Sequence, residues 1–175
     1  LSGKAALVTG GSRGLGRAIV LELAAAGADV AYCYRENAEA AQAVAAAVES
    51  GSGRKPLVVQ ADITSRDDRA RLIAETSRRL GRLDILVNNA GTRKDGLAVQ
   101  MGDAWDRVMD LDVTATFRLT QLALKVMLKQ SRGRIINIGS IASRIGLSGQ
   151  ANYSAAKAAL EGLTRSLAQE YGKRG

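Results

Sequence analysis

Short apolar runs alternate with segments of helical periodicity along the 175 residues, and this alternation restricts the possible folds more than any other feature. The runs are too short for helices and are predicted strands. Strands joined through helices run parallel and need cover on both faces. The chain is therefore expected to be a single α/β domain, residues 1–175, with a doubly wound parallel sheet. Its predicted strands are Ala5–Thr9, Asp29–Tyr34, Leu57–Gln60, Asp84–Val87 and Arg134–Ile138.

A glycine-rich turn follows the first predicted strand and precedes an amphipathic helix. Gly10 permits a tight turn, Gly14 lets backbone N–H groups approach a pyrophosphate, and Gly16 lets the helix pack close to the strand. The N-terminus of that helix would face the anion. A glycine-rich turn alone is a weak signal, but its position between a strand and a helix favours nucleotide binding over a plain turn.

The tip of the second strand bears on cofactor choice. NAD sites usually present a carboxylate there to the ribose 2′-hydroxyl. This chain instead has Tyr34-Arg35, and Arg13 lies in the glycine turn. Cations at these positions favour a 2′-phosphate and hence NADP; the alternative is that both arginines are only solvated.

Two further strand ends carry polar or small residues. Asp62 follows the third strand, where it could contact an adenine amino group or cap the next turn. The fourth strand ends in Asn88-Asn89-Ala90-Gly91. Ligands bind at the carboxyl ends of strands in open α/β sheets, so both ends are candidate cofactor contacts, with turn formation as the alternative.

Composition excludes several classes of function. With no histidine and only one cysteine, Cys33, the chain has no plausible Cys/His metal cluster, no internal disulfide and no Ser-His-Asp triad. Cys33 is expected to be a small buried residue, with a reactive thiol as the lesser alternative. No apolar run approaches the roughly 20 residues of a membrane span, and no leader pattern opens the chain, so a cytoplasmic location is expected.

The net charge of +8 raises the possibility of a nucleic-acid partner. The cations are scattered among acids, however, and aromatic residues make up only 3% of the chain, too few for a base-stacking platform. An anionic small molecule or an acidic protein would account for the surplus equally well.

The stretch GQANYSAAK places Tyr153 and Lys157 four residues apart, on one face of a predicted helix over Tyr153–Tyr171. An ammonium beside a phenol favours the phenolate and makes the tyrosine a better proton exchanger. Taken alone, the pair could equally be exposed helix residues.

Four motifs together resemble the short-chain dehydrogenase/reductase family. They are T-G-G-S-R-G-L-G (Thr9 to Gly16), N-N-A-G (Asn88 to Gly91), Ser140 and Y-S-A-A-K (Tyr153 to Lys157). The resemblance spans the whole chain and implies a Rossmann-like sheet. The stretches NNAGTRKDGL, GRIINIGSIAS and GQANYSAAKAALEGLTRSLA are especially similar to bacterial 3-oxoacyl-[acyl-carrier-protein] reductases, although relatives that act on other small carbonyl compounds share much of them.

The resemblance implies NADPH-dependent reduction of a 3-oxoacyl thioester linked to acyl carrier protein or coenzyme A. Tyr153 would donate a proton to the carbonyl oxygen, Ser140 would hydrogen-bond that oxygen, and Lys157 would assist Tyr153. The cofactor-binding residues it implies are Gly10, Ser12, Arg13, Gly14, Leu15, Gly16, Tyr34, Arg35, Asp62, Ile63, Asn89, Ala90, Gly91, Tyr153 and Lys157.

One residue departs from the family pattern. In V-M-D-L-D-V the fourth catalytic position, usually an asparagine that helps hold a water in a proton relay, is Asp112. A near-isosteric carboxylate would keep the geometry but favour the ammonium form of Lys157. We expect activity that survives but is impaired or shifted in pH.

The family pattern also continues beyond the end of this sequence. Members have a further strand, a mobile substrate loop and a last strand, so the chain is expected to be C-terminally incomplete, with Arg134–Ile138 left as an apolar edge strand. The resemblance also implies a homotetramer. From charge placement, an acidic carrier would meet the cations Lys125, Lys129, Arg132 and Arg174.

Two other classes of function remain open at this level. A non-catalytic dinucleotide-binding or regulatory protein is conceivable because of Asp112 and the missing segments. A nucleic-acid binder rests on charge alone.

Overall fold

All five strands lie in one parallel sheet in a computed structural model that describes residues 1–175. The order across the sheet is β3-β2-β1-β4-β5, which confirms the predicted doubly wound architecture. From β1 the chain builds outward to β3 on one side, and β4 then starts on the other side of β1. Because the direction reverses between β1 and β4, their carboxyl ends form the crevice in which such sheets bind ligands. The strands are β1 (Ala5–Thr9), β2 (Asp29–Tyr34), β3 (Leu57–Gln60), β4 (Ile85–Asn88) and β5 (Arg134–Asn137).

Helices connect the strands and cover both faces of the sheet. A short π-helical segment, Met109–Ala115, joins α4 to α5, and short 3₁₀ turns occupy Ala98–Gln100 and Gly172–Arg174. The α-helices are α1 (Gly14–Ala25), α2 (Ala38–Ser52), α3 (Arg66–Leu80), α4 (Asp103–Val108), α5 (Thr116–Lys129), α6 (Ala142–Ile145) and α7 (Ala151–Tyr171).

The central strand β1 is buried along its whole length and serves two cores. Successive side chains of a strand point to opposite faces. Leu7 accordingly packs in a core with α3 and α5, whereas Ala6 and Val8 pack in a second core with α1 and α2. This burial on both faces is why the strands read as continuous apolar runs in the sequence.

Most predicted boundaries lie close to the observed ones, with instructive differences. The fourth strand begins one residue later than predicted, at Ile85. Asp84 is instead a buried anchor whose carboxylate accepts the backbone N–H of Ala5 at 2.9 Å and pairs with Arg82 at 2.6 Å. Asn37 and Ser65 cap α2 and α3 through the backbone N–H groups of Ala40 and Asp68.

The helix that carries Tyr153 starts earlier than predicted, at Ala151. The π-helical segment Met109–Ala115 interrupts the helical region between α4 and α5, and the short helix α6 follows β5. Strand β5 forms one edge of the sheet, with Ile136 46% exposed, as expected for this stretch of chain. None of the helices combines the length and the hydropathy that a membrane span requires.

Candidate active site

One cleft at the carboxyl ends of the strands gathers every predicted cofactor-binding residue outside α7. It lies at the reversal point between β1 and β4 and extends to the tips of β2 and β3, with a volume of about 420 Å³. The predicted residues that line it are Gly10, Ser12, Arg13, Gly14, Leu15, Gly16, Tyr34, Arg35, Asp62, Ile63, Asn89, Ala90 and Gly91.

The glycine turn fits a phosphate group on the cleft side and tolerates no side chain on the other. A Cβ at Gly16 would meet the carbonyl oxygen of Gly10 and, at 2.5 Å, Nδ2 of Asn89. A Cβ at Gly14, whose φ is +53°, would meet no atom within 4 Å. The first turn of α1 carries no acidic residue, so its unpaired N–H groups and positive dipole end are open to an anion. These residues therefore fit a dinucleotide pyrophosphate.

Hydrogen bonds fasten the ends of β1 and β4 to each other. The Thr9 hydroxyl accepts the backbone N–H groups of Asn89 at 3.0 Å and Ala90 at 2.9 Å. The amide of Asn89 donates to the carbonyl oxygens of Thr9 at 2.9 Å and Gly10 at 3.2 Å. Sequence reasoning missed Thr9, although a threonine directly before the glycine turn was a visible signal.

The tip of β2 carries an ion pair that the sequence interpretation did not include. Arg35 and Glu36 pair at 2.6 Å, with side chains 58% and 76% exposed. The assumption that no acid lies near this tip is therefore wrong. Arg13, from the glycine turn, lines the same cleft and has no ion pair, so two guanidinium groups still border this end of the cleft.

Asp62 has the capping role that the sequence left as one of two alternatives. Its carboxylate accepts the backbone N–H and the hydroxyl of Thr64 at 2.9 and 2.8 Å. The side chain is half-buried and also lines the cleft. Asp62 therefore caps the turn and still lines the cleft at the tip of β3.

Tyr153 and Lys157 lie one turn apart on α7, with Nζ of Lys157 5.4 Å from the centroid of the Tyr153 ring. Tyr153 is half-buried, while Lys157 is only 4% exposed. Nζ donates to the carbonyl oxygen of Ile138, just beyond β5, at 3.2 Å. The cation is thereby held between the tyrosine and the end of β5.

Asp112 is the second charged group at this buried position. Its Oδ2 atom lies 3.2 Å from Nζ of Lys157, and its Oδ1 atom accepts the backbone N–H of Thr92 at 2.8 Å. The side chain is completely buried. Burial raises the pKa of this carboxyl above its ordinary value, and the attraction of Lys157 and the Thr92 hydrogen bond only partly oppose that rise.

The backbone around Asp112 explains how the carboxylate reaches Lys157. Asp112 lies within the π-helical segment, a rare conformation that often marks functional positions in helices. Gly91 lies directly opposite, where a Cβ would come within 2.7 Å of Oδ2. The carboxylate therefore lies between Gly91, at the edge of the cleft, and Lys157.

Ser140 lies two residues after Ile138, which Lys157 contacts, and just before α6. Its hydroxyl oxygen accepts the backbone N–H of Ala142 at 3.2 Å and the side chain is half-buried. Helix α6 is held against α7 through Ser143 and Arg144, both of which contact Glu161. The hydrogen bond to Ser143 holds the pKa of Glu161 below its ordinary value, with Arg144 adding to the effect.

Three of the four cations predicted to meet an acidic carrier lie on two separate surfaces. Arg132 and Arg174 line a pocket between α5, α7 and β5. Lys125 lines a separate groove between α3 and α5, together with Arg66 and Arg118.

Cys33 is buried at the end of β2, as predicted. Burial raises the pKa of its thiol to about 11. It is a packing residue rather than a reactive thiol.

Comparison with known proteins shows the family to which the chain belongs. The family model for short chain dehydrogenases matches residues 4–175. A 3-oxoacyl-[acyl-carrier-protein] reductase from Synechocystis sp. is 45% identical over 176 residues, which covers 100% of this chain and 71% of that protein. A reductase of the same name from Staphylococcus aureus is 42% identical over 173 residues, covering 98% of this chain and 70% of that protein.

Solved structures agree with the sequence comparison. A short chain dehydrogenase from Burkholderia cenocepacia, solved in complex with NADP, superimposes with a TM-score of 0.92 at 42% identity; the match covers 100% of this chain and 71% of that chain. Both the predicted resemblance and the predicted fold class are confirmed. The chain belongs to the short chain dehydrogenase family.

Proposed function

We propose that this protein catalyses the NADPH-dependent reduction of a 3-oxoacyl thioester, carried by acyl carrier protein or coenzyme A, to the 3-hydroxyacyl thioester. The observation that carries the proposal is the Tyr153–Lys157 pair, in which a buried ammonium lies 5.4 Å from the centroid of the phenol ring.

Each residue at the site has a role that its chemistry allows. Reduced nicotinamide, when bound, supplies the hydride. Tyr153 donates a proton to the carbonyl oxygen as it gains negative charge, and Ser140 donates a hydrogen bond to the same oxygen. Lys157 provides a fixed positive charge that favours the phenolate left behind.

Asp112 adjusts this arrangement rather than taking part in bond making. Its carboxylate holds the Lys157 ammonium at 3.2 Å and anchors the backbone of Thr92 beside the cleft. A negative charge here favours an ammonium that keeps its proton, which slows any proton relay through Lys157. Activity is therefore expected to survive with an altered dependence on pH.

The choice of NADP is supported by the cations at the 2′-phosphate end of the cleft and by the relative solved with NADP. Arg35 and Arg13 border that end, and a guanidinium binds phosphate in a two-pronged geometry. Arg35 exchanges its exposed partner Glu36 for the phosphate, and this exchange costs little because exposed ion pairs are weak.

The thioester substrate is supported by the relatives named as 3-oxoacyl-[acyl-carrier-protein] reductases. An acidic carrier would be attracted by the net charge of +8. The structure offers it two basic surfaces, one with Arg132 and Arg174 and the other with Lys125.

The test is the loss of NADPH absorbance on addition of acetoacetyl-CoA, with the 3-hydroxyacyl product identified by mass spectrometry. The proposal predicts consumption of one NADPH for each product formed. NADPH binding without consumption, for this and for other small carbonyl compounds, would show a non-catalytic dinucleotide-binding protein instead. Salt-sensitive binding to DNA without NADPH binding would contradict both.

A further inference from the structure

A fully buried amide lies directly beside the catalytic tyrosine. Asn152, in the first turn of α7, is 0% exposed. Its Nδ2 atom donates to the backbone carbonyl oxygens of Lys94 at 3.0 Å and Ala104 at 3.2 Å. Its Oδ1 atom accepts the backbone N–H of Tyr153 at 2.7 Å. One side chain thus joins three separate parts of the backbone.

These bonds satisfy groups that would otherwise lack partners. The first N–H groups of a helix have no acceptor within it, and that of Tyr153 is one of them. A carboxamide has two donor hydrogens and one acceptor oxygen, and here all of them are used. An aspartate at position 152 would set oxygen against two carbonyl oxygens, and an alanine would remove all three hydrogen bonds. The amide is the side chain that fits.

The segment that Asn152 contacts, the loop 92–96, is also held at both of its ends by hydrogen bonds. Its start is fixed by the hydrogen bond from Thr92 to Asp112, at 2.8 Å. Its end is fixed by the backbone N–H of Gly96, which donates to the carbonyl oxygen of Gly149 at 2.9 Å. Between these two points Asn152 binds Lys94. The loop 92–96 is therefore fastened to residues that flank both Tyr153 and Lys157.

We propose that Asn152 is a positioning residue, which locks the first turn of α7, and with it Tyr153, to the loop 92–96 and to α4. This inference rests on the proposed reductase function for its kinetic consequences. Its structural content is a claim about which contacts hold Tyr153 in place. Proton transfer requires donor and acceptor within hydrogen-bond reach, so a small displacement of the tyrosine reduces the rate.

The test compares Asn152→Ala with Thr76→Val. Thr76 is also 0% exposed and its hydroxyl makes one buried hydrogen bond, to Leu72 at 2.8 Å, on α3 away from the site. Turnover is measured per NADPH-binding site, so that molecules lost to unfolding are not counted. Asn152→Ala should lower kcat by about 10²-fold with nearly unchanged NADPH affinity, and should increase the solvent deuterium isotope effect because proton donation becomes slower. Thr76→Val should lower Tm alone.

The result that overturns the proposal is an Asn152→Ala variant whose kcat per site and isotope effect match those of wild type. Amide hydrogen exchange gives a readout that needs no turnover. The variant should exchange faster at the Tyr153 amide and in the loop 92–96 than either wild type or Thr76→Val. A wild type that fails to oxidise NADPH would contradict the proposed function, whereas unchanged exchange in Asn152→Ala would contradict the positioning role.

Discussion

Lys157 carries a positive charge at a position that is 4% exposed, so the groups around it decide what that charge does. A buried cation is costly unless it is paired, and Asp112 provides the pair at 3.2 Å. The carbonyl oxygen of Ile138 takes a further hydrogen bond at 3.2 Å. The pair holds the ammonium near Tyr153. It also places a carboxylate where burial disfavours the charged form.

Replacing Asp112 by asparagine should change how stability depends on pH. The pKa of Asp112 is raised, so the folded protein holds this proton more tightly than the unfolded chain does. Its contribution to stability is therefore largest at low pH and is lost as the pH rises from about 4 through the raised value. The Tm of wild type minus that of Asp112→Asn should fall across this interval. A difference that is constant between about pH 4 and pH 8 would contradict the shift.

The same substitution should alter the pH dependence of turnover. Asparagine removes the negative charge beside Lys157 while it keeps an oxygen that can accept the Thr92 N–H. The pH dependence of kcat should differ between Asp112→Asn and wild type, and the variant should have the higher kcat near neutrality. Identical profiles would show that the carboxylate has no part in the proton relay.

Arg35 should determine the preference for NADPH over NADH. A hydrogen bond to a charged group contributes about 1.5–3 kcal/mol, and the exposure of Arg35 places it at the lower end. Arg35→Ala should therefore weaken NADPH binding by about 10-fold and leave NADH binding nearly unchanged. Arg17→Ala, an exposed cation on α1 outside the cleft, is the matched control. Equal weakening of both cofactors in Arg35→Ala would exclude a contact with the 2′-phosphate.

At the level of elements, the turn between β1 and α1 depends on the close approach of two backbones. Gly16→Ala would drive a methyl group into the carbonyl oxygen of Gly10 and the amide of Asn89. Overpacking of this kind costs about 1–3 kcal/mol, and the glycine turn, which we propose binds the pyrophosphate, must shift. We expect a lower Tm and an NADPH affinity weakened by about 10-fold or more.

Gly162→Ala provides the control for that substitution. Gly162 lies inside α7, where an added Cβ meets nothing within 4 Å. Exchange of glycine for alanine inside a helix adds up to about 1 kcal/mol of stability, so Tm should rise without a change in NADPH binding. If both variants bind NADPH as wild type does, the close approach at Gly16 does not shape the cofactor site.

Elements differed in how far the sequence could predict them. The central strands were predictable because burial on both faces makes an uninterrupted apolar run, as in β1. The π-helical segment was not, because one wider turn scarcely changes the pattern of apolar residues around Asp112. Asn152 was missed because its partners Lys94 and Ala104 are distant in sequence. The Glu36 pairing with Arg35 was overlooked although the two residues are adjacent.

At the scale of the whole molecule, the order of the strands brings distant parts of the sequence to one edge of the sheet. The reversal between β1 and β4 places the glycine turn beside Asn89, and β5 delivers Ile138 and Ser140 to α7. The predicted cofactor residues outside α7 therefore share one cleft although they come from four different strand ends. The sequence predicted this convergence because the carboxyl ends of parallel strands lie on the same edge.

Surface charge at this scale was less predictable. Three of the four cations assigned to one acidic partner face two separate depressions: Arg132 and Arg174 lie beside β5, and Lys125 lies between α3 and α5. Their positions on helices and connecting turns depend on how the helices pack, which apolar patterns do not specify. The net charge of +8 remains compatible with an acidic partner at either surface.

The most direct test of the account is the rate of NADPH oxidation by Tyr153→Phe with acetoacetyl-CoA, measured beside NADPH binding by the same preparation. Phenylalanine keeps the ring that packs near Lys157 and removes the hydroxyl group whose proton the mechanism requires. General acid catalysis contributes about 10²–10⁴-fold, so turnover should fall by at least this much, while the NADPH dissociation constant stays close to that of wild type. Turnover retained by Tyr153→Phe would contradict the assignment of Tyr153 as the proton donor.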